Sequence, residues 1–278
     1  MPEKRRLSKR TIVAAILVII CIPAVMAVDV LLLKDRNYYA VSLIIIVLTM
    51  IPFALVFEGR KPMARELVVI AVMVAIAVAG RAAFFMVPQF KPVVAIVIIV
   101  GAALGAESGF AVGAITGFVS NFIFGQGPWT PWQMFAFGLI GFFAGIIFYK
   151  LAAAIGAPSR EGSMTPETEG SKWYDTGRLG WNVRARKRVE RLRILVLCVF
   201  GGAITFALYG ILLDTAATVM FSNGDFNASQ LIATYITGIP FNAVHATATI
   251  FFLIILAGPM IEKLERVKKK YGLLGAEA

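Results

Sequence analysis

The residues of this 278-residue chain that could meet a ligand gather in two short stretches. Arg81, Phe84, Phe85, Gln89, Phe90 and Lys91 form the first, and Asn121, Gln126, Trp129, Thr130, Trp132 and Gln133 the second. The second stretch contains FGQGPWTPWQ at 124–133, an uncharged segment in which prolines stiffen the backbone and glycines permit tight bends. Its tryptophans offer flat apolar surface beside an N–H donor. Amides and indoles around flat apolar surface suit the capture of a rigid, planar ligand. The other reading is an aromatic belt, which Trp forms where helices leave a bilayer.

Bond-making chemistry finds little support. No carboxylate pair and no nucleophile beside a base is legible, and the single histidine, His245, is not a mechanism alone. The acids are dispersed and no His/Cys/Asp/Glu cluster has metal-ligand spacing. Cys21 and Cys198 sit inside apolar runs, where a thiol behaves as a small hydrophobe, so no disulfide is implied. Tyr235, Pro240, Asn242 and His245 share one apolar run. Pro240 is expected to kink it, and Asn242 and His245, about one turn apart, point either to interhelical hydrogen bonding or to a ligand or proton path.

The elements that must carry these residues are transmembrane. Hydrophobic residues make up 59% of the chain and charged residues 15%, against roughly a quarter charged in soluble proteins. The apolar residues fall into runs near the ~20 residues that span ~30 Å of hydrocarbon. The fold class is therefore all-α: a polytopic transmembrane bundle of about eight helices, near 11–33, 39–57, 67–87, 92–105, 108–124, 132–150, 194–214 and 229–258. The fourth and fifth are short, and a re-entrant pair is the competing reading of 92–124. The first run follows basic residues but lacks a small-x-small cleavage site, so it reads as retained. Asp29 near its outer end reaches the interface and has no assigned role.

The net charge of +11 follows the topology. With both termini cytoplasmic, all of the 27 Lys and Arg residues except Lys34, Arg36, Arg81 and Lys91 fall inside, as the positive-inside bias requires. This places the protein in the cell membrane and makes lipid, not nucleic acid, the partner of its basic segments. Three parts are expected: a transmembrane hairpin over 1–60, a six-helix core over 61–262, and a basic cytoplasmic tail over 263–278. The core is interrupted by a basic cytoplasmic loop at 155–193. Within that loop the stretch from Pro158 is first Ser/Thr/Glu/Gly-rich and unstructured, then basic with Trp173, Tyr174 and Trp181. The last outer loop, Asp214 to Asn227, carries a turn signal at Ser222–Asp225 and could cover a cavity.

Small residues recur every fourth position along two stretches. Ala71, Ala75, Ala79 and Ala83 form a smooth strip that either packs internally or docks another membrane subunit. Gly101, Gly105, Gly109, Gly113 and Gly117, joined further along by Gly138, Gly141 and Gly145, imply close helix packing.

The stretch from GRAAFFMVPQFKP through GQGPWTPWQM and GLIGFFAG, clearest over 66–147, resembles the S-components of energy-coupling factor transporters. Within that family, GQGPWTPWQM at 125–134 and PQFKP at 88–92 are most similar to the branch handling cobalamin or its precursors. The resemblance implies a six-helix core over 66–260 that captures a vitamin from outside and is no enzyme. It implies as partners a membrane coupling subunit and two cytoplasmic ATPases. The chain has no cofactor of its own, and ATP is used by those partners. No GxxxxGK[ST] loop is present, in agreement. Phe84, Gln89, Lys91, Asn121, Gln126, Trp129, Trp132 and Gln133 then become the expected substrate-binding residues. Ala71, Ala75 and Ala79 become the expected docking face for the coupling subunit. The N-terminal hairpin and the basic loop depart from the family's minimal pattern. A non-transporting membrane scaffold of similar helical layout, recruiting cytoplasmic partners, is the alternative.

Overall fold

A computed structural model describes residues 64–154, 176–221 and 227–273, with Ile20 in isolation. The 1–60 hairpin, Trp173, Tyr174 and the Ser222–Asp225 turn lie outside the described residues. Within them the regular structure is helical throughout: α1 (Ala64–Ala83), α2 (Val93–Leu104), α3 (Ala106–Phe124), α4 (Trp129–Ala154), α5 (Thr176–Ile204), a π-helical turn at Thr205–Tyr209, α6 (Gly210–Phe221) and α7 (Ala228–Lys270). Five stretches are long and apolar enough to cross a bilayer, with α5, the π-turn and α6 forming one of them from Arg191 to Phe221. The chain is an all-α, multi-pass membrane protein.

Sequence pattern explains the layering. In α2, VVAIVIIVGAAL is apolar on every side, and all of its residues are buried. It forms the axis around which α3, α4 and α7 pack. By contrast α1 buries one stripe, Ile70, Met73, Val74, Ala77 and Arg81, at i, i+3, i+4 spacing. Its opposite face, with Leu67, Val68, Ala71, Val72, Ala75, Ile76 and Ala79, is exposed. The alanine strip is therefore not used for packing among the described residues.

At the centre, glycines bring three helices into backbone contact. A Cβ on Gly101 would collide with the carbonyl oxygen of Gly141, one on Gly141 with that of Gly109, and one on Gly113 with that of Phe137. Residues 92–124 form two helices joined at Gly105, whose φ of 97° and ψ of 172° lie in a region open essentially to glycine alone. At 12 residues, or about 18 Å, α2 is too short to cross the hydrocarbon, yet it is enclosed in protein throughout. The seven-residue difference from α3 is about 10 Å of helix, and the 84–92 connection with half-buried Phe84, Phe90 and Lys91 occupies that end.

Three boundaries differ from the sequence reading. Thr176–Arg193, expected within the basic loop, is helical and runs unbroken into the membrane span. Asp214 lies on α6 and not in a loop. Residues 259–270, expected partly as tail, extend α7 through Pro259. A helix already nucleated in lipid propagates into flanking Arg, Lys, Glu and Leu, all good helix formers, at little cost. The Arg266–Glu262 pair at 2.9 Å, one turn apart, supports that extension.

Gly141→Ala is expected to destabilise the bundle by about 1–3 kcal/mol through overpacking. Gly105→Ala, which has open space around it, should cost about as much through backbone strain. Thermal unfolding in detergent checks both, and an unchanged midpoint for Gly141→Ala would contradict the backbone contact.

Candidate functional site

At the end of the bundle opposite the Arg193–Glu265 pair, a guanidinium is buried in the last turn of α1. Arg81 is 8% exposed. Its Nη1 donates to Ser120 Oγ and, at 2.9 Å, to Asn121 Oδ1, both in the last turn of α3. Its Nη2 reaches Gln133 Oε1 on α4 at 3.5 Å. The guanidinium carbon stands 4.4 Å from the ring centroid of Phe124. A charge this deep needs such partners, because an unpaired one is costly away from water.

The tight 125–128 connection places the next shell. Gly125 adopts φ of 100°, and Gly127 N–H donates to Thr130 Oγ1 at 3.2 Å. Thr130 Oγ1 also accepts from Asn121 Nδ2 at 2.9 Å and donates to Gln126 Oε1 at 2.9 Å. Gln126 Nε2 returns to the Phe118 carbonyl at 3.0 Å. Gln133, one turn after Thr130, donates to Tyr209 OH at 3.2 Å. Tyr209 ends the π-turn, which inserts a residue into the helix and rotates the face presented by α6 beyond it. Its ring stacks on Phe137 with centroids 5.2 Å apart and meets the His245 ring edge-on at 4.5 Å.

Of the expected binding residues, Asn121, Gln126 and Gln133 therefore share one hydrogen-bonded network with Arg81, Ser120, Thr130 and Tyr209. Lys91 joins through Phe124, with Nζ 5.7 Å from the same ring centroid that Arg81 faces. Burial and, after it, the like charge of Arg81 lower the Lys91 ammonium from its ordinary pKa. Gln89 holds a left-handed backbone, φ 57°, in the turn that returns Lys91 toward this end. Phe84 lies apart, in a cluster with Phe90 and Phe252 at centroid distances of 6.1 and 5.1 Å. Trp132 is 6% exposed and packs with Phe110, Phe135 and Phe142, whereas Trp129 is 40% exposed.

Asn242 serves an interhelical bond, its Nδ2 donating to Asp214 Oδ2 at 2.8 Å. Thr215 and Tyr235 hydroxyls bridge the same pair of helices at 2.8 Å. His245 is buried, and its Nδ1 has no hydrogen-bond partner among the described residues. Sequence reasoning passes over Ser120 and Tyr209. No local signal marks Tyr209, whose flanks in TFALYGILL are apolar. Among the described residues no group of three metal-ligating side chains occurs.

Trp132→Ala should destabilise by about 3–5 kcal/mol as a core truncation, while Trp129→Ala should stay within about 0.5 kcal/mol. Arg81→Ala should cost about 1–3 kcal/mol by leaving buried partners unpaired. Denaturation in detergent ranks the three, and equal losses at both tryptophans would contradict their different burial.

No curated protein and no solved structure matches this chain. Residues 61–159, which hold α1 to the start of the basic segment and so every member of the network except Tyr209, match the family model for the ECF-type riboflavin transporter, S component.

Proposed function

We propose that this chain is the substrate-binding S component of an energy-coupling factor importer. The observation that carries the reading is that the matched segment supplies most of a buried polar network at one end of the bundle. On the positive-inside bias that end faces outward, since Arg65, Arg193 and Lys268–Lys270 lie at the other. Substrate enters there, with Trp129 offering exposed flat surface and Asn121, Gln126, Gln133 and Lys91 the polar contacts. Gln89 shapes the rim, and Phe84 and Trp132 support it from the core. The chain performs no chemistry and hands its ligand to a coupling subunit driven by two cytoplasmic ATPases. The exposed alanines Ala71, Ala75 and Ala79 are the face for that subunit, because small residues let another helix approach closely.

The family model carries riboflavin in its name, while the 88–92 and 125–134 segments resemble the cobalamin branch. Both point to a vitamin with a flat ring system. Tryptophan-fluorescence titration of the purified chain with riboflavin, cobalamin and α-ribazole tests the reading. One of them should bind, and Trp129→Ala should weaken it about tenfold, the equivalent of ~1.4 kcal/mol of stacking. Failure of all three and of a wider vitamin panel would contradict capture. Ala75→Leu should abolish cellular uptake while leaving affinity unchanged; unaffected uptake would remove the alanine face from docking.

A further inference from the structure

Two cations share one aromatic ring at the outer end of the bundle. Arg81 Cζ is 4.4 Å and Lys91 Nζ 5.7 Å from the Phe124 centroid. Arg81 is buried and Lys91 half-buried, and neither makes an ion pair among the described residues. The three hydrogen bonds of Arg81 go to neutral groups, leaving two of the five guanidinium N–H donors for another acceptor. Asp214 is the single described carboxylate at this end. It accepts from Asn242 at 2.8 Å and makes no ion pair with either cation among the described residues, so it does not neutralise the pair. His245, 4% exposed with an unpartnered Nδ1, lies edge-on against Tyr209, the partner of Gln133, with ring centroids 4.5 Å apart.

Like charges brought together away from water repel, and cation–π contact offsets only about 0.5–2 kcal/mol of that for each. An anion beside Arg81 and Lys91 would complete the site. We propose that the ligand of this chain carries an anionic group, a phosphate or carboxylate, held by Arg81 and Lys91. This rests on the capture reading and narrows its substrate class, since neutral vitamins leave the two charges unmatched. Arg81 supplies a planar fork suited to two oxygens, and Lys91 a mobile point charge that closes over them.

The test uses the full chain in phosphatidylcholine nanodiscs, with inorganic phosphate against chloride at matched ionic strength, read as the thermal midpoint. A saturable rise of roughly 2–4 °C in the wild type, absent in Lys91→Gln and Arg81→Gln, is expected. If Arg81→Gln does not fold, Lys91→Gln alone decides, because its side chain is in a connection and only half-buried. No rise, or an equal rise in Lys91→Gln, overturns the proposal. A rise produced only when phosphatidylglycerol is added assigns the pair to a lipid headgroup and overturns it for a solute. The vitamin titrations fail or succeed independently: a bound neutral vitamin without a phosphate effect overturns the anion alone, and a phosphate effect without any vitamin overturns capture alone.

Discussion

Burial of the Arg81 guanidinium is the constraint on which the rest of this end of the bundle depends. A permanent cation in the last turn of a membrane helix is tolerated only where donors meet acceptors, and here those acceptors come from α3 and α4. Satisfying it fixes the end of α3 against the start of α4, and through Gln133 it reaches the π-turn 76 residues further on. The network thereby ties four separate elements at one level.

Such convergence requires backbones that can approach. Glycines at 101, 109, 113 and 141 remove the side chains that would hold α2, α3 and α4 apart. In lipid, where apolar burial gives helices no preference for each other over acyl chains, that close contact supplies the association energy. The opposite end is held differently, by surface contacts such as Arg193–Glu265 at 3.1 Å and Lys268 over Tyr149 at 5.0 Å, which individually contribute little. The structure is thus tight where polar groups are buried and looser where charges meet solvent.

Much of this is legible from residue types. The apolar runs mark the spans, and the glycine period marks the packing, because both depend on composition repeated along one helix. Asn121 and Gln133 stand out by their chemistry and fall together. Arg81 reads as one of four outer charges, since nothing in a linear sequence distinguishes a cation at the interface from one turned inward; only the i, i+4 stripe from Ala77 hints at it. Trp129 and Trp132 look alike, yet three residues of helix separate a half-exposed ring from a buried one. Tyr209 is invisible because a π-turn breaks the period by which faces are assigned. Helical Thr176–Arg193 lacks the apolar periodicity that marks a helix.

A substrate-capturing subunit needs a site preorganised before its ligand arrives, and the hydrogen bonds among Arg81, Ser120, Asn121, Thr130 and Gln133 fix that geometry while leaving donors of Arg81 for a ligand. A hydrogen-bonded polar network at this end and a bare alanine face on α1 belong together in the proposed subunit. Native mass spectrometry with absorbance, on protein purified in detergent after growth in rich medium, tests this most directly. The account predicts a stoichiometric vitamin-sized ligand on the wild type and its loss when Lys91 is replaced by Gln. A chain that is empty, and stays empty when supplied with riboflavin, cobalamin or α-ribazole, would contradict it and favour a scaffold.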